Sequence, residues 1–313
     1  MSATPEAGPE AGPAGPRSGL PTTAPGSAAE LKREGVSQWL FLVGFSLKNA
    51  YFGWAFFLPS FVLLLIQMFT AAAIFYVMGQ LVAPGATPEV DAYGMSYGTY
   101  IVTGVMFNLV LTITLSAYHE AWLNGYWATQ FDTYLQHPGG VSAYLAGSVL
   151  FSYLMAAINT VAYVLVGVAI FGVSVDVPHL PMVLVILVAG VFSLTGLGLL
   201  GASTFSLLGA RNWGQNPVEW LVGFGVALLA GVYFPPSVLP TWLQPLSEWL
   251  PQTHAIRAAR LALNGRSGLD SPALWGDLVF LLVFGAVSLP LGVLAFAAGL
   301  RKVQRDGSLT RWS

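Results

Sequence analysis

The feature that most constrains this chain is a series of apolar runs long enough to cross a lipid bilayer. About 20 apolar residues span the hydrocarbon core as an α-helix, which satisfies its own backbone hydrogen bonds. Charged residues make up only 8% of the 313 residues, against about 25% in a typical soluble domain. The sequence therefore predicts an all-α polytopic membrane protein.

Six apolar runs approach or exceed the spanning length, so we expect six transmembrane helices. The runs are residues 55–78, 100–116, 144–172, 181–208, 221–233 and 274–300. Pro290 lies inside the sixth run and is expected to kink it, because proline removes a helical hydrogen bond. Together the runs predict a membrane domain at residues 31–305.

The flanking segments predict disordered tails and an interfacial helix. Residues 1–30 are rich in Ala, Pro, Gly, Ser and Thr, lack a signal-peptide pattern, and predict a disordered cytoplasmic tail. Residues 37–53 are too short to span and carry Lys48, which fits an elbow helix lying in the membrane interface. A frayed extension of the first span is the alternative. Residues 306–313 form a short polar tail.

The distribution of basic residues predicts the orientation. Six spans place both termini on one side of the membrane. If that side is the cytoplasm, nine of the twelve Lys and Arg residues are cytoplasmic, as the positive-inside rule requires. We therefore expect a multi-pass protein of the cell membrane with both termini cytoplasmic. Residues 119–138 contain no Lys or Arg and would face the cytoplasm without electrostatic help.

Five prolines interrupt the connection between the fifth and sixth runs, at residues 234–251. Each proline removes an N–H donor and clashes with the preceding turn, so one continuous helix is excluded. The apolar residues nevertheless keep a helical spacing. We therefore expect two short re-entrant or interfacial helices, which would have to lie against protein, water or the membrane surface.

This region resembles the C-terminal signature of type-2 ATP-binding-cassette (ABC) exporter permeases. The matching residues are Gly231, Phe234, Pro235, Leu239, Pro240, Trp242, Leu243, Leu246, Leu250, Pro251, Thr253, Arg260 and Gly265. The departures are Gln252 for Leu, His254 for Tyr, and Arg257 where the family usually carries Glu. The last departure reverses a charge. A proline-broken loop of another kind of membrane protein is the alternative.

Residues 119–138 are polar and aromatic, and they are similar to the family's cytoplasmic coupling segment. Glu120, Gly125, Leu135 and Pro138 follow the family's order, and Gln130 lies between them. The basic residues that usually follow the glutamate are missing. An amphipathic surface helix without a partner is the alternative.

The resemblance covers roughly residues 37–305 and implies the transmembrane permease subunit of an ABC exporter for a drug, a lipid or a lipid-linked glycan. It implies a second permease chain, as a homodimer or with a similar paralogue, and a separate ATP-binding cassette subunit. It also implies that residues 119–138 couple to the ATPase and that residues 234–251 form an outer lid. The lid or gate residues would be Phe234, Pro235, Pro240, Trp242, Trp249 and Pro251.

The sequence shows no constellation that would make this chain an enzyme. It has no GxxxxGK[ST] phosphate loop, so ATP and Mg would bind to the partner subunit and no cofactor to this chain. It has no cysteine, and its four histidines are scattered, so no metal site is expected. The net charge of −2 offers no electrostatic case for nucleic acid.

Two segments match known sequence motifs but lack the structural context that those motifs require. Residues 94–98 read GxSxG without a preceding strand, which indicates a chance match in a loop. Residues 196–201 read GxGxxG inside an apolar run, where small residues allow close helix packing instead of dinucleotide binding. Glu219 and Asp277 open the fifth and sixth spans, where a carboxylate suits the helix dipole.

Two polar residues near the middle of the third run, Asn159 and Thr160, have two interpretations. They can hydrogen-bond helices together, or they can line a transport pathway. Two other functional classes also remain open: an ion-gradient-driven secondary transporter and a non-transporting membrane scaffold. The span centres carry Asn108 and Asn159 and no Asp or Glu, so they lack the ionisable site that a secondary transporter requires.

Overall fold

The computed structural model describes residues 28–56, 95–127, 130–134, 136–171, 177–208, 229–263 and 271–306, with isolated positions at 62, 66, 70, 73, 77, 90 and 93. Within this part of the chain the regular structure is entirely helical. The chain divides into two compact units, residues 1–38 and 39–313. The described part of the first unit is the start of one helix.

The described chain contains both long and short helices. They are α1 (Ala28–Phe56), α2 (Tyr97–Trp127), α3 (Gln130–Tyr134), α4 (Gly140–Phe171), α5 (Leu180–Leu208), α6 (Gln244–Glu248), α7 (Pro251–Leu263) and α8 (Pro272–Arg305). Short 3-10 turns lie at Val177–His179 and Pro236–Val238. The elbow predicted at residues 37–53 falls within α1, which is longer.

Among the described residues, four helices are long and apolar enough to cross a membrane: Tyr97–Tyr126, Gly140–Leu165, Leu180–Thr204 and Pro272–Arg305. They correspond to the second, third, fourth and sixth predicted runs. The first and fifth runs lie mostly outside the described residues, and so does Glu219. The helix predicted for residues 221–233 has already ended at Ala230, where the chain bends. Gly231 adopts a left-handed conformation with φ of 74°, which interrupts the helix.

The second span extends beyond its predicted end. The apolar run stops near residue 116, yet α2 continues without a break to Trp127. Its polar residues Glu120 and Asn124 are one turn apart and exposed, while Ala121 and Trp122 are buried. Residues 119–127 are therefore the last turns of a spanning helix, with one polar face.

Small residues bring α5 and α8 together, in line with the close packing of α5 that the glycine spacing predicted. A Cβ added to Gly196 would lie 2.2 Å from the backbone of Ser288, and one added to Gly292 would lie 2.3 Å from the Gly196 carbonyl. The Ser288 hydroxyl donates to the Ser193 carbonyl at 2.9 Å. This close packing confirms that the GxGxxG pattern is a helix contact. The α8 helix runs continuously through Pro290.

Candidate functional site

The helix bundle has two contrasting ends. Tyr100 lies near the start of α2 and Trp122 near its end, so about 33 Å of helix separates them. We call the first end the charged end and define it by Glu248, His254, Arg257, Arg260 and Asp277. We call the other the aromatic end and define it by Trp122, Phe131, Tyr134 and Tyr144.

The proline-rich region at the charged end folds into two short helical pieces, as its sequence pattern predicted. Prolines occupy the first turns of the Pro236–Val238 turn and of α6, where a missing N–H costs least. The Gln244 side chain donates to the carbonyl of Leu239 at 2.9 Å. The Ser247 hydroxyl donates to the carbonyl of Leu229 at 2.5 Å. These bonds hold α6 against the preceding chain.

The predicted lid residues separate into packed and exposed groups. Pro235 and Pro251 are buried and Phe234 is half-buried, whereas Pro240 is exposed. Trp242 and Trp249 are 75% and 73% exposed. Most of each tryptophan side chain therefore faces away from the described part of the chain.

Arg257 is the centre of an ion-pair network. Its Nε donates to Asp277 Oδ2 at 2.9 Å, its Nη2 to Asp277 Oδ1 at 2.5 Å, and its Nη1 to Glu248 Oε1 at 2.8 Å. The hydrogen bonds to Asp277 raise the pKa of Arg257 above its ordinary value. The residue that reverses the family's usual charge is therefore matched by two carboxylates. Sequence reasoning assigned Asp277 to the helix dipole and missed this pairing.

His254 completes the network. Its Nδ1 lies 2.6 Å from Asp277 Oδ1 and its Nε2 lies 2.8 Å from the backbone carbonyl of Glu248. A neutral imidazole carries one N–H, so both contacts are hydrogen bonds only in the doubly protonated ring. The ring stacks on Phe280 with centroids 3.8 Å apart. His254 thus ties the end of α6 to α8.

Arg260 is a buried cation held by backbone carbonyls. It is 1% exposed. Its Nη1 donates to Gly231 at 2.6 Å, and its Nη2 donates to Tyr100 and Val232 at 2.9 Å each. The guanidinium also lies 3.4 Å above the Tyr100 ring. Burial lowers the pKa of Arg260 to about 10, so the side chain remains charged at neutral pH.

A cavity of about 650 Å³ opens beside this network. Its lining consists of Tyr93, Pro235, Pro236, Ser237, Gln244, Glu248, Arg257, Leu261 and Ala273. Burial raises the pKa of Tyr93, which keeps its phenol neutral. The cavity therefore joins apolar walls to two charged side chains.

The aromatic end joins α2, α3 and α4 through ring contacts. The rings of Trp122 and Phe131 are 5.2 Å apart, those of Phe131 and Tyr144 are 5.5 Å apart, and those of Tyr134 and Tyr144 are 5.1 Å apart. The α1 helix docks on this cluster because Ser46 donates to the Tyr144 carbonyl at 3.0 Å. The expected elbow and the expected coupling segment therefore meet here.

The predicted coupling residues have different environments. Gly125 is buried, and an added Cβ would lie 2.5 Å from the Phe131 ring, so only glycine fits without movement. Glu120 and Pro138 are exposed. Gln130 begins α3, and Leu135 lies outside the described residues.

The two predicted pathway residues lie on α4, away from the cavity lining. Thr160 donates its hydroxyl to the Ala156 carbonyl of its own helix at 2.8 Å. Asn159 is half-buried. The hydrogen-bonding capacity of Thr160 is thus used within α4.

Spanning helices that pack through small residues define a membrane-embedded helical protein. The sequence profile of the family described as "ABC-2 type transporter" matches residues 37–264, well over half of the chain. The chain therefore belongs to the ABC-2 type transporter family and is a transporter permease of the ABC class. A comparison with curated proteins found no match.

Proposed function

We propose that this chain is the transmembrane subunit of an ABC exporter for a drug, a lipid or a lipid-linked glycan. The match to the ABC-2 type transporter family over residues 37–264 carries this proposal. The sequence lacks a phosphate loop, so ATP and Mg would bind to a separate ATP-binding cassette subunit. A second permease chain would complete the membrane part. This chain itself would catalyse no reaction.

The proposed topology has six spans with both termini in the cytoplasm, in the cell membrane. The balance of Lys and Arg supports this orientation. In it the aromatic end faces the cytoplasm, where the ATP-binding subunit would dock. The charged end faces outward, and residues 234–251 would cover the exit.

The proposed mechanism transmits motion from one end of the bundle to the other. ATP-driven closure of the partner subunits would push the segment at residues 119–138. Because α2 continues unbroken from Tyr97 to Trp127, a push at its end moves its start, where Tyr100 contacts Arg260. The spans would then open on one side and close on the other, in a two-state alternating-access change.

The test is co-expression of this chain with the ATP-binding subunit encoded beside it, followed by pull-down from detergent extract. The chain has no native cysteine, so Gln130→Cys gives a single crosslinking site on α3. Ser237→Cys, exposed at the charged end, is the matched control. We expect a stoichiometric, ATPase-active complex that crosslinks at residue 130 and not at residue 237.

Recovery of the intact chain without any ATP-binding partner would contradict the proposal. Dependence of transport on a proton or sodium gradient would then favour a secondary transporter. An ATPase complex that crosslinks only at residue 237 would instead reverse the proposed orientation.

A further inference from the structure

We propose that the cavity at the charged end binds an amphipathic organic cation. Its volume of about 650 Å³ lies within the range of small-molecule sites. Pro235, Leu261 and Ala273 supply apolar wall, and the Tyr93 side chain contributes an aromatic ring. Such walls suit the organic part of a ligand, and they leave the polar contact to the charged residues.

Arg257 is already paired with two carboxylates, which compete with any anionic ligand for its guanidinium. All three of its guanidinium nitrogens already donate to carboxylates: Nε and Nη2 to Asp277, and Nη1 to Glu248. The Asp277 side chain is 3% exposed, so its bidentate pair with Arg257 is shielded from water. A ligand anion would meet a cation whose charge two carboxylates already offset through charge-assisted bonds.

Within the part of the chain that the structure describes, one carboxylate oxygen of Glu248 has no hydrogen-bond donor beside the cavity. Its side chain is 47% exposed, and Oε1 accepts from Arg257 Nη1. Its Oε2 lies 3.9 Å from His254 Nε2, beyond hydrogen-bond distance, and that nitrogen is directed at the Glu248 backbone carbonyl at 2.8 Å. Of the two charged side chains in the lining, the one with spare hydrogen-bonding capacity as an acceptor is therefore Glu248, through a carboxylate oxygen.

The charge of the network has the same consequence in both states of His254. With a neutral imidazole, the carboxylates of Glu248 and Asp277 outweigh the single guanidinium of Arg257 by one negative charge. With a protonated imidazole, the four groups are balanced. In neither state do these four groups offer excess positive charge, and the fifth charged group of this end, Arg260, is buried and donates to backbone carbonyls. The Tyr93 ring adds a face that attracts cations.

This assignment depends on contacts at the charged end alone and does not require the proposed transport function. The test uses the full-length chain in neutral detergent and two probes of matched shape and opposite charge, tetraphenylphosphonium and tetraphenylborate. Equilibrium dialysis, corrected for binding to empty micelles, measures both affinities. We expect the phosphonium to bind at least about fivefold more tightly than the borate.

Two variants locate the binding. Glu248→Gln should weaken phosphonium binding about fivefold or more, whereas Asp306→Asn, an exposed carboxylate at the other end of α8, should leave it unchanged. Ala273→Phe fills the cavity without changing any charge and should abolish binding. If Glu248→Gln impairs folding, Ala273→Phe still tests whether the phosphonium binds in the cavity.

Equal or tighter binding of the borate would overturn the proposal, and so would phosphonium binding that survives Ala273→Phe unchanged. These outcomes do not bear on the exporter proposal, because no ATP-binding subunit is present in the assay. Conversely, failure to recover an ATPase complex would leave the cation site standing.

Discussion

At the charged end, residues from α6, α7 and α8 are joined by hydrogen bonds and ion pairs, with two arginines at the centre. At the aromatic end, ring contacts join α2, α3 and α4, and the Ser46 hydroxyl of α1 donates to the backbone carbonyl of Tyr144. A buried polar network is costly to break, because each lost partner leaves an unsatisfied group. Ring contacts have no obligatory partner, although they are sensitive to volume.

The two ends should therefore fail in different ways. Removal of one donor at the charged end exposes several acceptors at once and should affect the whole fold. At the aromatic end, addition of volume should do more harm than removal of a polar atom. This difference between the two ends suits the proposed lever, because packed rings can shift as a unit while the polar network at the opposite end keeps its geometry.

The largest effect is expected from Arg260→Ala. The change removes the donors to the carbonyls of Gly231, Val232 and Tyr100 and leaves them buried. Each buried acceptor that is left without its donor costs about 1–3 kcal/mol. We therefore expect a large fall in the thermal unfolding midpoint in detergent, or loss of folded protein.

Arg260→Lys sharpens this test because it keeps the charge and loses the planar fork. The thermal unfolding midpoint of Arg260→Lys should lie between those of the wild type and Arg260→Ala. The control is Arg301→Ala, an exposed arginine at the other end of α8, which should change little. An Arg260→Ala protein as stable as the Arg301→Ala protein would show that the buried arginine does not organise this end.

The second-largest effect on stability is expected from Arg257→Glu, which introduces the residue that the family usually carries. It would place three carboxylates together, with Asp277 buried among them. We expect destabilisation of about 2–4 kcal/mol, because like charges share a poorly solvated site. Arg257→Glu combined with Asp277→Arg should recover at least about 1 kcal/mol, measured as a double-mutant cycle.

If the double variant were no more stable than the sum of its parts, the pair would not be coupled. In that case the charge reversal at residue 257 would be neutral variation. The comparison between the two ends would then rest on Arg260 alone.

At the aromatic end, Gly125→Ala should cost about 1–3 kcal/mol, because its Cβ would lie 2.5 Å from the Phe131 ring. Gly276→Ala is the matched control in α8, where nothing lies within 4 Å of an added Cβ, and it should be neutral or slightly stabilising. Gly125→Ala with Phe131→Leu should recover part of the loss. Equal stability of the two alanine variants would contradict the packing argument.

In a reconstituted exporter, the same Gly125→Ala variant should reduce transport more than ATP hydrolysis. Transport per ATP hydrolysed, measured in vesicles, tests whether the aromatic end is the lever. If both rates fall together or neither changes, the segment at residues 119–138 does not couple the two activities.

Local patterns predicted much of the fold. The apolar runs located α4 and α5 to within a few residues, because lipid-spanning helices must be continuous and apolar. The prolines predicted the short helices between residues 234 and 251, and the glycine spacing predicted close packing of α5, although not that α8 is its partner. Each of these inferences depends on neighbours along the chain.

The charged end could not be predicted in the same way, because Arg257 and Asp277 are 20 residues apart and meet only through the tertiary fold. The available signals were a reversed charge at residue 257 and a rare carboxylate at the start of the sixth run. The extension of α2 to Trp127 was missed for a different reason: Glu120 and Asn124 interrupt the apolar run, yet both lie on the exposed face of the helix.

The smallest effect on stability is expected from Trp242→Ala and Trp249→Ala. Both side chains are about three-quarters exposed, so each change should alter the free energy of unfolding in detergent by less than about 0.5 kcal/mol. A bilayer provides a membrane interface, which detergent lacks and which tryptophan favours. If the two tryptophans anchor the charged end to lipid, the double variant should lose stability in vesicles and keep its transport rate per folded molecule. If they gate the exit, transport should change while stability in vesicles stays the same, and the charged end would then act as a moving lid and not as the fixed end of the bundle.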